Sequence, residues 1–174
     1  MSYDLTIATP ADVPALVALV NGAYRGDSSR RGWTTEADLL GGQRTDAEAL
    51  TEQLATPGAV ILLAREAASA DLVGCVYLEP REASLYLGML TVRPDRQAAG
   101  LGRLLLQAAE DHARHLALPA VKMTVITQRT ELLAWYERHG YRRTGRLVPF
   151  PTDPRFGLPQ QPLEMEVLRK DLGS

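Results

Sequence analysis

Residues 93–110 read "RPDRQAAGLGRLLLQAAE", a proline, then Gly100 and Gly102 one residue apart, then a leucine-rich stretch at helical spacing. Glycine is among the poorest helix residues, so a pair of them at a helix start needs a reason. A helix N-terminus exposes unpaired N–H groups and the positive end of the macrodipole. Glycines let an anion approach that backbone closely, where side chains would hold it away. A strand ending at Val92, a tight turn, and small residues at Ala98, Ala99, Gly100 and Gly102 describe a cradle for a pyrophosphate. A loop that merely needs positive φ at one glycine has the same spacing, and at this point both readings stand.

The flanking sequence gives that helix a sheet to sit on. Upstream, "AVILLARE" and "LVGCVYLE" are β-rich runs joined by the short turn "AASAD", which makes a hairpin. "SLYLGMLTV" is a third run, stopped by Pro94. Downstream, the helix runs to about His115, "AVKMTVIT" is a strand, and "TELLAWYERHG" is a helix closed by Gly140. "YRRTGRLVPF" reads as a strand, and a proline-rich loop leads to a last strand near "LEMEVLRK". Near the start, Leu5 and Ile7 alternate as on a half-buried strand. Thr9, with Pro10 first and Asp12 at N3, caps a helix whose Leu16, Leu19, Val20 and Ala23 share one face. Thr35 with Asp38, and Thr45 with Glu48, repeat the capping-box spacing, the second before a helix "AEALTEQL" that Pro57 and Gly58 end. The order β-α-α-β-β-β-α-β-α-β-β describes one domain over residues 1–174, an α/β (mixed α+β) sheet with helices on both faces.

Composition narrows the classes of function. Hydrophobic residues make up 45% and charged residues 23%, the balance of a globular protein. A net charge of −2 argues against broad binding to nucleic acid or an anionic membrane. No stretch approaches the roughly 20 apolar residues of a membrane span, and the first residues lack the pattern of a secretory signal, so a cytoplasmic location is the expectation. Cys75 is the single cysteine, and with 3 histidines and no Cys-x-x-Cys a zinc site has no support.

Two rival anion motifs fail on inspection. A Walker A loop needs Lys-Ser/Thr after its last glycine, but Arg103 and Leu104 follow Gly102. A dinucleotide fingerprint needs a small residue where this chain has Leu105. The segment Gln97-Ala98-Ala99-Gly100-Leu101-Gly102 instead resembles the Gln/Arg-x-x-Gly-x-Gly/Ala loop of the GCN5-related N-acetyltransferases (GNAT). "LLAWYERHGYRRTG" resembles the Tyr-x-x-x-Gly-Phe/Tyr helix end of the same family, and the likeness covers nearly the whole chain.

The resemblance implies a splayed, mixed, mostly antiparallel sheet with acetyl-CoA as cosubstrate in the wedge between "LGMLTV" and "AVKMTVIT", and no metal. It implies that the N–H groups of Gln97, Ala98, Ala99, Gly100, Leu101, Gly102 and Arg103 hold the pyrophosphate. Leu90, Thr91 and Val92 would lie along the pantetheine arm, Leu90 and Val92 pairing with its amides like an extra strand. An N–H near Leu90 would polarise the thioester carbonyl. Tyr136 aligns with the general-acid tyrosine that protonates the departing thiolate, although by i,i+4 spacing with Leu132 it also reads as a packing residue. The partners implied are acetyl-CoA and an amine acceptor, with no nucleic acid and no membrane; a homodimer is left open.

The chain departs from the family pattern in two places. Arg129 stands where relatives often have a pantetheine-contacting asparagine, and it reads equally as a phosphate contact or a solvated side chain. "SLYLGMLTV" lacks the carboxylate that serves many relatives as base; Glu79 and Glu82 lie just upstream, Glu36 and Asp38 lie in the polar segment between the first two helices, none stands out, and a water chain would serve. Arg30, Arg31 and Arg44 suit an acceptor carboxylate, while Trp33 and Tyr24 read as an apolar slot or as core. His112, His115 and His139 read as surface or capping residues, and Cys75 as a small apolar group. Arg142, Arg143 and Arg146 read as a solvated strand face, with a CoA 3′-phosphate contact as the alternative. The leading expectation is an enzyme acetylating a primary amine, amino-acid-like or peptide. Its rivals are a non-catalytic acyl-CoA-binding module and an α/β domain for another nucleotide.

Overall fold

The computed structural model describes residues 2–24, 40–41, 44–97, 100–150, 158–159 and 163–173. In chain order the elements are β1 (Tyr3–Ile7), a single 3-10 turn (Pro10–Asp12) leading into α1 (Val13–Tyr24), β2 (Leu40–Gly41), α2 (Ala47–Ala55), β3 (Val60–Glu66), β4 (Leu72–Arg81) and β5 (Ser84–Val92). A second 3-10 turn (Pro94–Arg96) leads to α3 (Leu101–His115), followed by β6 (Ala120–Ile126), α4 (Thr130–Arg138), β7 (Arg142–Pro149), β8 (Leu158–Pro159) and β9 (Glu164–Asp171). The hairpin, the long helix and the late strands stand where the sequence patterns put them.

Local chemistry explains the boundaries. The Thr9 capping box is present: the Thr9 N–H donates to Asp12 Oδ2 at 2.8 Å. The expected Thr45–Glu48 box is not. Asp46 caps α2 instead, accepting from the Ala49 N–H at 2.7 Å. Thr45 is buried, and its backbone N–H donates to Asn21 Oδ1 at 2.9 Å, so tertiary contact with α1 moves the cap one residue along. Gly140, at φ 92°, closes α4 in the left-handed region. The Thr35–Asp38 box lies outside the described residues.

Among the described residues, seven strands form one sheet in the order β1-β3-β4-β5-β6-β9-β7, and β2 pairs with β8 separately. Every neighbouring pair in the large sheet is antiparallel except β5 with β6, which run parallel. That parallel register holds at only two pairs, Leu85 with Val121 and Tyr86 with Lys122. The β2–β8 pair falls in segments that read as polar loop.

Alternation along the strands feeds two cores. One face gathers Leu16, Val20, Leu50, Ile61, Leu63 and Cys75 beneath α1 and α2. The other gathers Val76, Leu78, Leu87, Leu105, Leu106 and Leu133 beneath α3 and α4. Gly74 matters to that second face. A Cβ there would meet Leu105 Cδ1 and the Thr91 carbonyl oxygen at 3.0 Å, so the bare backbone is what lets α3 settle on β4. At the far end of α3, buried Glu110 accepts from Tyr141 Oη at 3.0 Å and Lys170 Nζ at 2.9 Å, fastening the helix to the β7–β9 side. Among the described residues, no helix is long and apolar enough to cross a membrane.

Gly74→Ala tests this seating. Overpacking at that contact should cost about 1–3 kcal/mol, read as a fall of roughly 2–4 °C in melting temperature per kcal/mol.

Candidate active site

The site begins with a defect in β5. Cys75 pairs with Thr91 and Tyr77 with Gly88, so Met89 and Leu90 together stand opposite Val76. This is a β-bulge, and a bulge bends its strand and increases its twist. Met89 takes a left-handed φ of 54°, unusual for a side chain of its size. The bulge is braced from within: buried Thr91 donates its hydroxyl to the Met89 carbonyl at 2.9 Å. Beyond Tyr86 the bent strand diverges from β6, and a cleft of about 440 Å³ opens between them. Its walls are Leu87 to Leu90 of β5, Met123 to Ile126 of β6, Arg129, Leu132 and Tyr136 around α4, and Glu52, Gln53 and Thr56 around the end of α2.

The quoted loop lies just past the bulge. Gly100 has φ 83° and is the N-cap of α3, with no side-chain cap bond. A Cβ on Gly100 would meet nothing within 4 Å, so open space fronts the helix start. Gly102 has a different reason: its Cβ would come within 3.3 Å of Trp135 Cζ2, so α3 packs its first turn against α4 there. Gln97 Nε2 donates back to the Val92 carbonyl at 3.3 Å. Arg96 pairs with Glu66 on β3, and Arg93 Nε donates to Asp95 Oδ1 at 2.7 Å, which fixes the turn feeding the loop. Leu101 is buried and Arg103 is exposed. Ala98 and Ala99 lie outside the described residues, as do Arg30, Arg31, Trp33, Glu36, Asp38 and the Tyr24 side chain.

Tyr136 is 4% exposed, lines the cleft, and packs edge-on against Trp135 at 5.1 Å and Tyr141 at 5.8 Å. Arg129 also lines the cleft and is only 5% exposed, which removes the solvated reading. Among the described residues, the charged ones lining the cleft are Arg44, Arg81, Arg129 and Glu52.

Glu79, one of the carboxylates the sequence offered as base, belongs to a polar cluster whose Tyr77 and Arg81 the sequence reading passed over. Tyr77, Glu79 and Arg81 alternate on one face of β4, and Tyr86 stands opposite Glu79 on β5. Tyr77 Oη donates to Glu79 Oε1 at 2.5 Å, and Arg81 Nε donates to Glu79 Oε2 at 2.6 Å. The Arg81 guanidinium lies 3.8 Å from the centre of the Tyr86 ring. The Arg81 hydrogen bond holds the Glu79 carboxyl below its ordinary range. Burial, and then the bond to Glu79, push the Tyr77 phenol up to about 12. The available signal was the period-2 spacing of Tyr77, Glu79 and Arg81 on a strand otherwise apolar. Glu82 has φ 53°, in the turn between β4 and β5.

The remaining candidates have structural places. Arg143 donates to Glu166 from Nε at 2.9 Å and from its terminal nitrogen at 2.7 Å, across β7 and β9. His139 is the C-cap of α4, its Nδ1 2.8 Å from the Trp135 carbonyl. His112 is half-buried, which lowers its pKa. Among the described residues, no group of three His, Cys, Asp or Glu is placed to hold a metal ion.

Comparison with known proteins places this geometry. The model of the acetyltransferase (GNAT) domain matches residues 34–150. Mycothiol acetyltransferase of Jonesia denitrificans is 33% identical over 109 residues, which are 62% of this chain and 34% of that protein; the match thus spans about a third of that relative's length. The paia N-acetyltransferase of Thermoplasma acidophilum, solved in complex with coenzyme A, shares the fold at TM-score 0.73 and 15% identity, covering 99% of this chain and all 100% of that one. The yncA protein of Salmonella typhimurium, solved with its cofactor acetyl-CoA, does so at TM-score 0.69 and 18% identity, covering 100% and 96%.

Cys75 is fully buried beside the bulge, and burial pushes its thiol up to about 12. It should resist iodoacetamide near about pH 8 in the native protein and react fully in denaturant, as a mass measurement of each sample would show.

Proposed function

The chain belongs to the GNAT acetyltransferase family, and on that premise we propose that it acetylates a primary amine, amino-acid-like or peptide, at the expense of acetyl-CoA. The observation that carries this reading is the opened β5–β6 junction, with the uncapped, glycine-fronted start of α3 beside it.

The residues present fit the coenzyme. At the α3 start, the N–H groups of Leu101, Gly102 and Arg103 precede the first helical bond, which Leu104 makes to Gly100 at 3.0 Å. Together with Gln97, Ala98, Ala99 and Gly100 they would hold the pyrophosphate, helped by the helix dipole. The backbones of Leu90, Thr91 and Val92 would run beside the pantetheine arm, and Leu90, within the bulge, lines the cleft. When bound, acetyl-CoA supplies an acetyl group activated as a thioester. Tyr136 Oη holds the proton that the departing sulfur takes. Burial among Trp135 and Tyr141 keeps that phenol in place.

The acceptor is read from charge. Arg44 lines the cleft, and its planar fork matches the carboxylate of an acceptor that carries one. Arg44 therefore remains the acceptor contact of choice among those the sequence suggested. Free amino acids and peptide termini meet both requirements.

Acetyl-CoA at about 100 times its dissociation constant should add roughly 2.7 kcal/mol, a rise of several degrees in melting temperature. Tyr136→Phe should keep that rise yet slow thiol release at least ~10²-fold, as expected for loss of an acid. A Tyr136→Phe enzyme with unchanged turnover would remove the tyrosine from the mechanism. Arg44→Ala should raise KM at least about tenfold for carboxylate-bearing amines and leave plain alkylamines alone, the size of one charge-assisted bond; equal effects on both would count against a carboxylate contact.

A further inference from the structure

We propose that Tyr77 Oη receives an N–H of the acceptor amine, and that the Glu79–Arg81 pair sets this by forcing the hydroxyl to act as acceptor toward the cleft. This deepens the acetyltransferase reading and rests on it.

The argument is one of counting protons. A phenol has one O–H to donate and lone pairs to accept with. Arg81 can only donate, and it occupies Glu79 Oε2. Glu79 therefore stays a carboxylate with no proton of its own, and Oε1 must accept from Tyr77. With its single proton committed at 2.5 Å, the Tyr77 oxygen has only lone-pair density for other partners, which the neighbouring Thr56 hydroxyl and an incoming amine would share. Arg81 is itself fixed, with its guanidinium over the Tyr86 ring at 3.8 Å, so the chain of donors has one direction.

An attacking amine needs that direction. Its lone pair must face the thioester, so its N–H bonds must point at acceptors behind it. Tyr77 lines the cleft with Glu52, Gln53 and Thr56 at the end of α2, and Leu90 and Tyr136 line the same cleft. Tyr77 stays un-ionised near neutral pH, so it orients the nitrogen and takes no proton from it. It is a positioning residue.

The test compares wild-type protein with Tyr77→Phe and Glu79→Gln, measuring thiol release from acetyl-CoA with free amino acids and simple alkylamines, and acetyl-CoA binding by melting shift. Tyr77→Phe should raise KM for the best amine at least about tenfold while KM for acetyl-CoA and its melting shift stay within about twofold. Glu79→Gln is the sharper case. Arg81 will hold the amide oxygen, so the amide NH2 faces Tyr77 and turns the hydroxyl proton into the cleft. That variant should lose as much amine affinity as Tyr77→Phe, although the phenol remains. If Glu79→Gln behaves as wild type, the polarity argument is overturned, and if both variants do, Tyr77 is a core residue only. Equal losses for amine and acetyl-CoA in Tyr77→Phe would also overturn the proposal, marking a general structural defect. No melting shift with acetyl-CoA in the wild type would take down the underlying reading and this proposal with it.

Discussion

The architecture depends on one irregularity in backbone hydrogen bonding, the extra residue in β5 opposite Val76. A regular strand there would continue its parallel pairing with β6 and leave no gap at the centre of the sheet. The bulge ends that pairing after Tyr86. A left-handed φ at a residue such as Met89 costs on the order of 1–3 kcal/mol and persists only when its surroundings hold it. Here Thr91 bonds the Met89 carbonyl, and Cys75, Tyr77 and Met89 pack together beneath α1 and α2. The core on one face thus stabilises the opening that serves the other.

Three glycines shape the surface beside that opening, each for a separate reason. Gly74 clears the β4 backbone so that Leu101 and Leu105 of α3 can approach. Gly102 lets the first turn of α3 meet the Trp135 indole, which ties the loop to the helix carrying Tyr136. Gly100 supplies the left-handed N-cap and leaves open space before the N–H groups. A left-handed backbone and tight packing thus divide the pair that opens α3, one at each glycine.

The polar face of β4 follows from the same geometry. Tyr77, Glu79 and Arg81 share one face of β4, and their polar atoms satisfy one another. Gly88 lies close beside this group. A Cβ there would come within 2.9 Å of Tyr86 Cε2, so the ring lies across bare backbone and reaches Arg81.

The sequence by itself determined the order of the main elements other than β2 and β8, and the glycine pair at the start of α3, because period-2 and helical spacing, proline stops and paired glycines are local signals. It marked Gly100 and Gly102 through their spacing, and Tyr136 through resemblance to the family's helix end. The tertiary structure alone decided the rest. Asp46 caps α2 because Asn21, 24 positions before Thr45, takes the Thr45 N–H. Arg129 is buried because α4 and β6 enclose it, and the base-poor strand read at β5 faces a Tyr77–Glu79–Arg81 cluster on its neighbour. The bulge is set by register between two strands, and register is a relation that neither strand states alone.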